Sequence, residues 1–153
     1  MLNSRDHDLL EGLNPEQAAA VSAGPGPLLV LAGAGSGKTR VLTRRMAWLV
    51  AHGTAEEALV ALTFTNKAAG EMKERVANLL GSRRPRSFVG TFHSFGVRLL
   101  RRFAPEAGLT SGFVVFDADD QVAVFRHALK AAGITDKTLT PKAVASKISR
   151  ARN

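Results

Sequence analysis

The run Ala32-Gly33-Ala34-Gly35-Ser36-Gly37-Lys38-Thr39 constrains this chain more than any other segment. Leu28-Leu29-Val30-Leu31 precedes it, and a stretch with Val41, Leu42, Met46, Leu49 and Val50 on one side follows it. The first reads as a short buried parallel strand, the second as a helix from about Lys38 to His52, ended by Gly53. Strand, glycine-rich turn and helix match the phosphate-loop pattern G-x-x-x-x-G-K-[ST] at Gly37, Lys38 and Thr39, with Ala32 in place of the first glycine. Glycines let the backbone curl until successive N–H groups point at phosphate oxygens. The helix that follows adds the partial positive charge of its N-terminus. Lys38 suits the β- and γ-phosphates, and the Thr39 hydroxyl can ligate Mg²⁺.

The rest of the chain continues the alternation. Asn14-Pro15 reads as an N-cap and first helical residue, opening a helix to about Ala23 that Gly24-Pro25-Gly26-Pro27 breaks. Ala58 to Phe64 reads as a second buried strand, Asn66 to Leu80 as a helix stopped by Gly81, Ser87 to Gly90 as a third strand, and Phe92 to Phe103 as a helix. Pro105 changes the character. Phe113–Phe116 is a short extended segment, Asp117 to Ala132 a helix closed by Gly133, and Thr140-Pro141 the start of a last helix. Strand–helix alternation over residues 1–104 implies βαβ units around a parallel sheet, with residues 105–153 as a mostly helical second lobe.

Further residues carry chemistry more weakly. Gln17 stands three residues after Asn14, where it would complete a capping box, and Arg40 reads as a helix-surface charge. Phe64, Thr65, Asn66 and Lys67 end one strand; Thr91, Phe92 and His93 end another. Ligands of open α/β sheets sit at such strand ends. Two edges that combine an aromatic with polar groups suit the stacked bases and phosphates of a single strand. The plainer alternatives are an N-cap for Thr65 and Asn66, a core position for Phe64 and a structural hydrogen bond for His93. Asp117, after Phe113–Phe116, reads either as a Walker B aspartate or as an N-cap grouped with Asp119 and Asp120. The cap is preferred, since the segment follows the change at Pro105 and no second carboxylate stands directly after it.

Composition narrows the classes. The 153 residues carry 21 basic and 13 acidic side chains, a net charge of +8, and no cysteine. Disulfide scaffolds, cysteine nucleophiles and thiolate metal sites are excluded, and a reducing compartment fits. No apolar run spans a bilayer and the N-terminus lacks a secretory pattern, so the expectation is a cytoplasmic protein without a membrane partner. The charge is one-sided: residues 1–76 hold 8 of each sign, so residues 77–153 carry the whole excess. Between 82 and 102 stand Arg83, Arg84, Arg86, Arg98, Arg101 and Arg102 without one acid, which suggests a polyanion or a solvated surface.

Taken in order, Leu13-Asn14-Pro15-Glu16-Gln17, Ala32–Thr39, Leu62–Ala69 and Gly90–Ser94 resemble the Q motif and motifs I, Ia and Ib of superfamily 1A DNA helicases of the UvrD/Rep/PcrA type. Phe116-Asp117-Ala118-Asp119-Asp120-Gln121 is similar to the start of that family's helical insertion. The resemblance covers nearly the whole chain and implies an incomplete RecA-like P-loop domain (1A) over 1–104, with the start of a 1B insertion over 105–153. It implies that Gln17 reads adenine and that residues 32–39 bind ATP and Mg²⁺, with Lys38 and Thr39 catalytic. It implies further that Arg40 lies near the nucleotide, and that Phe64, Thr65, Asn66, Lys67, Thr91, Phe92 and His93 line a single-stranded DNA track.

In the family, Ala32 is usual at the first loop position, and Asp117 lies outside the Walker B position. An Asp-Glu pair followed by Gln (motif II), a second RecA-like domain and an arginine finger belong to the family and have no counterpart in these residues. The implied reading is therefore the N-terminal part of a 3′–5′ DNA helicase of repair or replication. Alone it is expected to be inactive in hydrolysis and unwinding, and to self-associate through an exposed sheet edge. The rivals are a complete small P-loop NTPase or kinase using Asp117, and a non-enzymatic nucleic-acid-binding module.

Overall fold

A computed structural model of the chain describes residues 4–82, 84–110, 112–134 and 139–152. The folded chain divides into two compact units, Met1–Leu99 and Leu100–Asn153. The sequence places the change of character slightly later, between 104 and 105.

The first unit is organised around one helix. Helices α1 (Ser4–Leu10), α2 (Pro15–Ser22) and α3 (Lys38–Ala51) are followed by a 3-10 turn at Glu56–Ala58, strand β1 (Val60–Thr63), helix α4 (Asn66–Leu80), strand β2 (Phe88–Thr91) and most of helix α5 (Phe92–Arg102). Helix α3 carries apolar residues on more than one side, and this decides the packing. Val41, Ala47 and Trp48 bury against Leu9 of α1 and Ala20 and Val21 of α2. Met46 turns the other way and buries with Met72 and Val76 of α4, backed by Leu59, Ala61 and Val89. Strands β1 and β2 pair in parallel, Val60 opposite Phe88 through Thr63 opposite Thr91, with α4 as their crossover. Both strands end on the same edge of the sheet, so Phe64 and Phe92, the residues after them, stand side by side.

Local signals explain the helix ends. Asn14 caps α2 with a reciprocal box: its side chain accepts from the Gln17 backbone N–H at 2.8 Å, and the Gln17 side chain accepts from the Asn14 N–H at 3.1 Å. Thr65 caps α4 by accepting from the Ala68 N–H. Gly81 ends α4 in the left-handed conformation.

The far end of α2 has no left-handed glycine stop, whereas α1 ends with Gly12 left-handed and the Glu11 N–H donating to His7 O at 2.9 Å; arginines of α3 supply further donors at both ends. Arg44 donates to the carbonyls of Leu9 at 2.7 Å and Glu11 at 2.8 Å, and Arg45 to those of Ala20, Val21 and Ala23 at 2.9 to 3.2 Å. Burial, together with the neighbouring Arg40 charge, lowers the Arg44 pKa against the opposing pull of Glu11. The group stays cationic, as an arginine does.

Two expectations are corrected. Leu28–Leu31 is neither a paired strand nor buried: it belongs to no ladder, and Leu29 and Leu31 are 82% and 88% exposed. A buried parallel strand needs a partner strand and covered faces, and among the described residues only β1 and β2 pair. The second expected strand is shorter, because Glu56–Ala58 turns before Val60 enters the sheet. Helix α1 was not anticipated; its first residues are polar or charged, and only Asp6 and Leu9 are buried.

The second unit holds helices α6 (Ala118–Ala131) and α7 (Pro141–Arg152), which pack on each other. Phe113–Phe116 leads into α6 without pairing, its Val114, Val115 and Phe116 side chains exposed. Thr140 accepts from the Ala143 N–H at the start of α7. Among the described residues, no helix is long and apolar enough to cross a membrane.

Candidate functional site

The loop from Ala32 to Gly37 turns the chain into α3. Gly35 and Gly37 have φ of +75° and +81°, a region that favours glycine. Gly37 is the residue before the helix and brings no side chain to cap it, so the first N–H groups of α3 remain directed outward. Lys38 folds back over the curl. Its ammonium donates to the carbonyls of Gly33 at 2.5 Å and Ala32 at 3.3 Å. Ser36 closes the turn by donating its hydroxyl to Gly33 O at 2.8 Å. A cation and a row of free amides thus share one concave backbone, which suits a polyphosphate.

Gln17 joins this loop from another element. Beyond its capping bond, its Nε2 donates to the Ser36 carbonyl at 3.0 Å. The capping role and the contact with the loop are therefore held at once by the two ends of one amide. A Cβ on Gly37 would lie 2.9 Å from that Nε2, so Gly37 is fixed both by its positive φ and by this approach. A cavity of about 440 Å³ opens beside the loop, lined among others by Asn14, Gln17, Ala32, Ser36, Lys38 and Arg45. Its volume lies within the range of small-molecule sites. Arg40 is exposed and reaches back to the Glu11 carbonyl at 3.4 Å. The Thr39 hydroxyl has no protein partner among the described residues, and no group of three or more His, Cys, Asp or Glu side chains could hold a metal there. A lone hydroxyl fits a magnesium ion that takes its other ligands from bound phosphates and water.

The second candidate surface is the edge where β1 and β2 end. Phe64 is 92% exposed, so it is no core residue, and its ring lies 5.7 Å from that of Phe92, tilted by 46°. Asn66, Lys67 and His93 are exposed around them, whereas Thr91 is buried and its hydroxyl accepts from the Ser94 N–H. Gly90 lies where a Cβ would meet the Phe88 ring and the Ser94 hydroxyl at 2.7 Å.

The arginine tract is partly neutralised by acids from elsewhere in the chain. Arg86 pairs with Glu57 and Glu56, and Glu56 also accepts from the Arg86 and Ser87 amides. Arg98 covers the Phe88 ring at 5.3 Å, and Arg84 and Arg101 are exposed. Arg83 lies outside the described residues.

Asp117 is the N-cap of α6. Its Oδ1 accepts from Asp119 N–H at 2.9 Å and Asp120 N–H at 2.8 Å, and Asp120 returns a bond to the Asp117 N–H. Asp117→Ala is expected to lower stability by about 1 kcal/mol in denaturant unfolding, and Asp117→Asn by a few tenths. An equal loss in both variants would refute the cap.

A parallel βαβ unit, preceded in the chain by a glycine loop at the N-terminus of α3, defines an α/β protein. Comparison with known proteins makes the class specific. Residues 13–153 match the model of the UvrD/REP helicase N-terminal domain, and the chain belongs to that family. It is 46% identical over 153 residues to the ATP-dependent DNA helicase PcrA of Bacillus subtilis, a match covering 99% of this chain and 21% of that protein. It is 47% identical over 147 residues to the ATP-dependent DNA helicase UvrD1 of Mycobacterium tuberculosis, covering 95% of this chain and 19% of that protein. PcrA of Staphylococcus aureus is 45% identical over 146 residues. The chain thus spans about a fifth of the length of these relatives.

Proposed function

We propose that this chain is the ATP-binding, single-stranded-DNA-contacting N-terminal portion of an ATP-dependent 3′–5′ DNA helicase serving DNA repair or replication. The observation that carries the reading is the convergence of Lys38 and Gln17, from two helices, on one glycine loop. Family membership and the names of the relatives, ATP-dependent DNA helicases, support the substrate class. In this reading residues 1–104 belong to a RecA-like domain 1A and 105–153 begin domain 1B.

The phosphates of ATP take the free N–H groups of the loop and of the first turn of α3, Lys38 replaces its two carbonyl partners with phosphate oxygens, and Thr39 holds magnesium against them. Magnesium supplies charge neutralisation on the phosphates when bound. Gln17, with one end of its amide tied to α2, presents the other to the base, and Arg40 lies close by. Phe64 and Phe92 offer faces for bases, and Lys67 a charge for the backbone.

Two experiments test this. Phe64→Ala is expected to weaken binding of an oligothymidylate by roughly 1–3 kcal/mol in fluorescence anisotropy; unchanged affinity would remove Phe64 from the DNA track. The 153 residues contain no Asp-Glu pair followed by Gln. ATP turnover by this chain, with or without single-stranded DNA, is therefore expected to equal that of Lys38→Ala. An arginine finger, which the family resemblance assigns to a second domain, is by itself worth about 10³–10⁵ in rate. Lys38-dependent turnover would point instead to a complete small NTPase.

A further inference from the structure

We infer that Arg45 is a positioning residue for base recognition: its guanidinium clamps the C-terminal end of α2 and thereby fixes where Gln17 stands relative to the phosphate loop. The inference rests on the nucleotide reading above and concerns how the base half of that site is held.

Helix α2 has eight residues, a length that is marginal without outside support. Its N-terminal end is satisfied by the Asn14–Gln17 box. Its C-terminal end lacks the usual stop. Ala23 has φ −53° and ψ 138°, Gly24 is not left-handed, and no N–H folds back on the last carbonyls. Arg45 supplies the missing donors. Nη1 lies 3.0 Å from Ala20 O, 3.2 Å from Val21 O and 2.9 Å from Ala23 O, and Nη2 lies 3.3 Å from Gly24 O. A planar fork with a fixed charge, half-buried at a helix C-terminus, is well suited to hold several carbonyls at once.

The position of Arg45 gives the clamp its consequence. Lys38 and Arg45 lie on the same helix, about two turns apart and therefore on nearly the same side of it. Both line the cavity that Gln17 also lines. One rigid rod therefore holds the phosphate lysine at its start and the far end of the base-reading helix two turns on. Gln17 makes its bond to Ser36 O from the first turn of that tethered helix, whose eight residues are short enough for a hold at the far end to set the direction of the whole. Arg44, the adjacent residue, makes the equivalent clamp on α1 and the segment after it, through Leu9 O and Glu11 O, and neither α1 nor that segment carries a base-reading group. Arg44 is thus the internal control: a clamp of the same chemistry on a helix without Gln17.

The experiment compares binding of ATP and of inorganic tripolyphosphate, each with magnesium, by calorimetry on the 153-residue chain. Arg45→Ala is expected to weaken ATP about tenfold and to leave tripolyphosphate, which has no base, within about twofold. Arg44→Ala is expected to change neither ligand selectively. Arg45→Lys is expected to recover part of the loss, since an ammonium reaches carbonyls without the fork. In a Gln17→Ala background, Arg45→Ala is expected to add little further loss, because the two act through one contact. Equal weakening of both ligands would make Arg45 a general stabiliser and overturn the inference, as would unchanged ATP affinity. Failure of the nucleotide reading shows separately: the unsubstituted chain would then bind tripolyphosphate no better than Lys38→Ala does, and the inference would fall with it.

Discussion

Lys38→Ala abolishes binding of magnesium-ATP, a loss of about a hundredfold or more in calorimetry. The side chain does two things at one point. It brings the one lysine charge of the loop to the concave face of a backbone whose remaining donors are neutral amides. It also bridges the carbonyls of Ala32 and Gly33, drawing the start of the curl toward the start of α3. A charge-assisted hydrogen bond is worth about 1.5–3 kcal/mol, and a polyphosphate takes more than one from an ammonium. At about 1.4 kcal/mol per factor of ten, the hundredfold figure is the lower end. Lys38→Arg separates charge from shape: it keeps the cation but replaces a compact ammonium with a planar fork, and is expected to recover little affinity. Full ATP affinity in Lys38→Ala would remove the loop from the nucleotide site altogether.

How much of this was legible in the sequence follows from the range of each interaction. The Asn14 cap, the Thr65 cap, the Gly81 stop and the Asp117 cap are all made within four residues, and the local pattern announces them. The phosphate loop is equally local, because glycines, lysine and helix start are contiguous. Gln17 was half legible. Its spacing from Asn14 gives the box, but its bond to Ser36, nineteen residues on, needs the fold or the family resemblance. Arg44 and Arg45 were not legible. In sequence they are two charges on an amphipathic helix, and their partners are carbonyls 21 to 36 residues away that carry no side-chain signature. The charge tally failed for a related reason at Arg86. No acid stands in its own window, yet Glu56 and Glu57 reach it from 30 and 29 residues before because β1 and β2 lie side by side. A sum over a window measures composition, whereas the field at a surface depends on what the fold brings to it.

Leu28–Leu31 shows the converse, a segment whose preference is plain and whose partner is not. The chain here alternates as a strand does. Leu28 and Val30 line the cavity beside α2 and α3, while Leu29 and Leu31 point largely into solvent. Its backbone joins no ladder, so both edges and one apolar face are open at the same place. Soluble proteins avoid that combination, because an open strand edge with an apolar face is a template for another chain. The 153-residue chain is therefore expected to self-associate, with a weight-average mass in sedimentation equilibrium that rises with concentration. Leu29→Lys with Leu31→Lys places two charges on the outward face and leaves Leu28 and Val30 where they are. This double variant is expected to sediment as a monomer and to keep its affinity for tripolyphosphate, since the curl from Ala32 to Lys38 is held by its own hydrogen bonds. A monomeric unsubstituted chain at high concentration would show that the run is covered in solution. Association that survives the two lysines would move the contact elsewhere on the molecule.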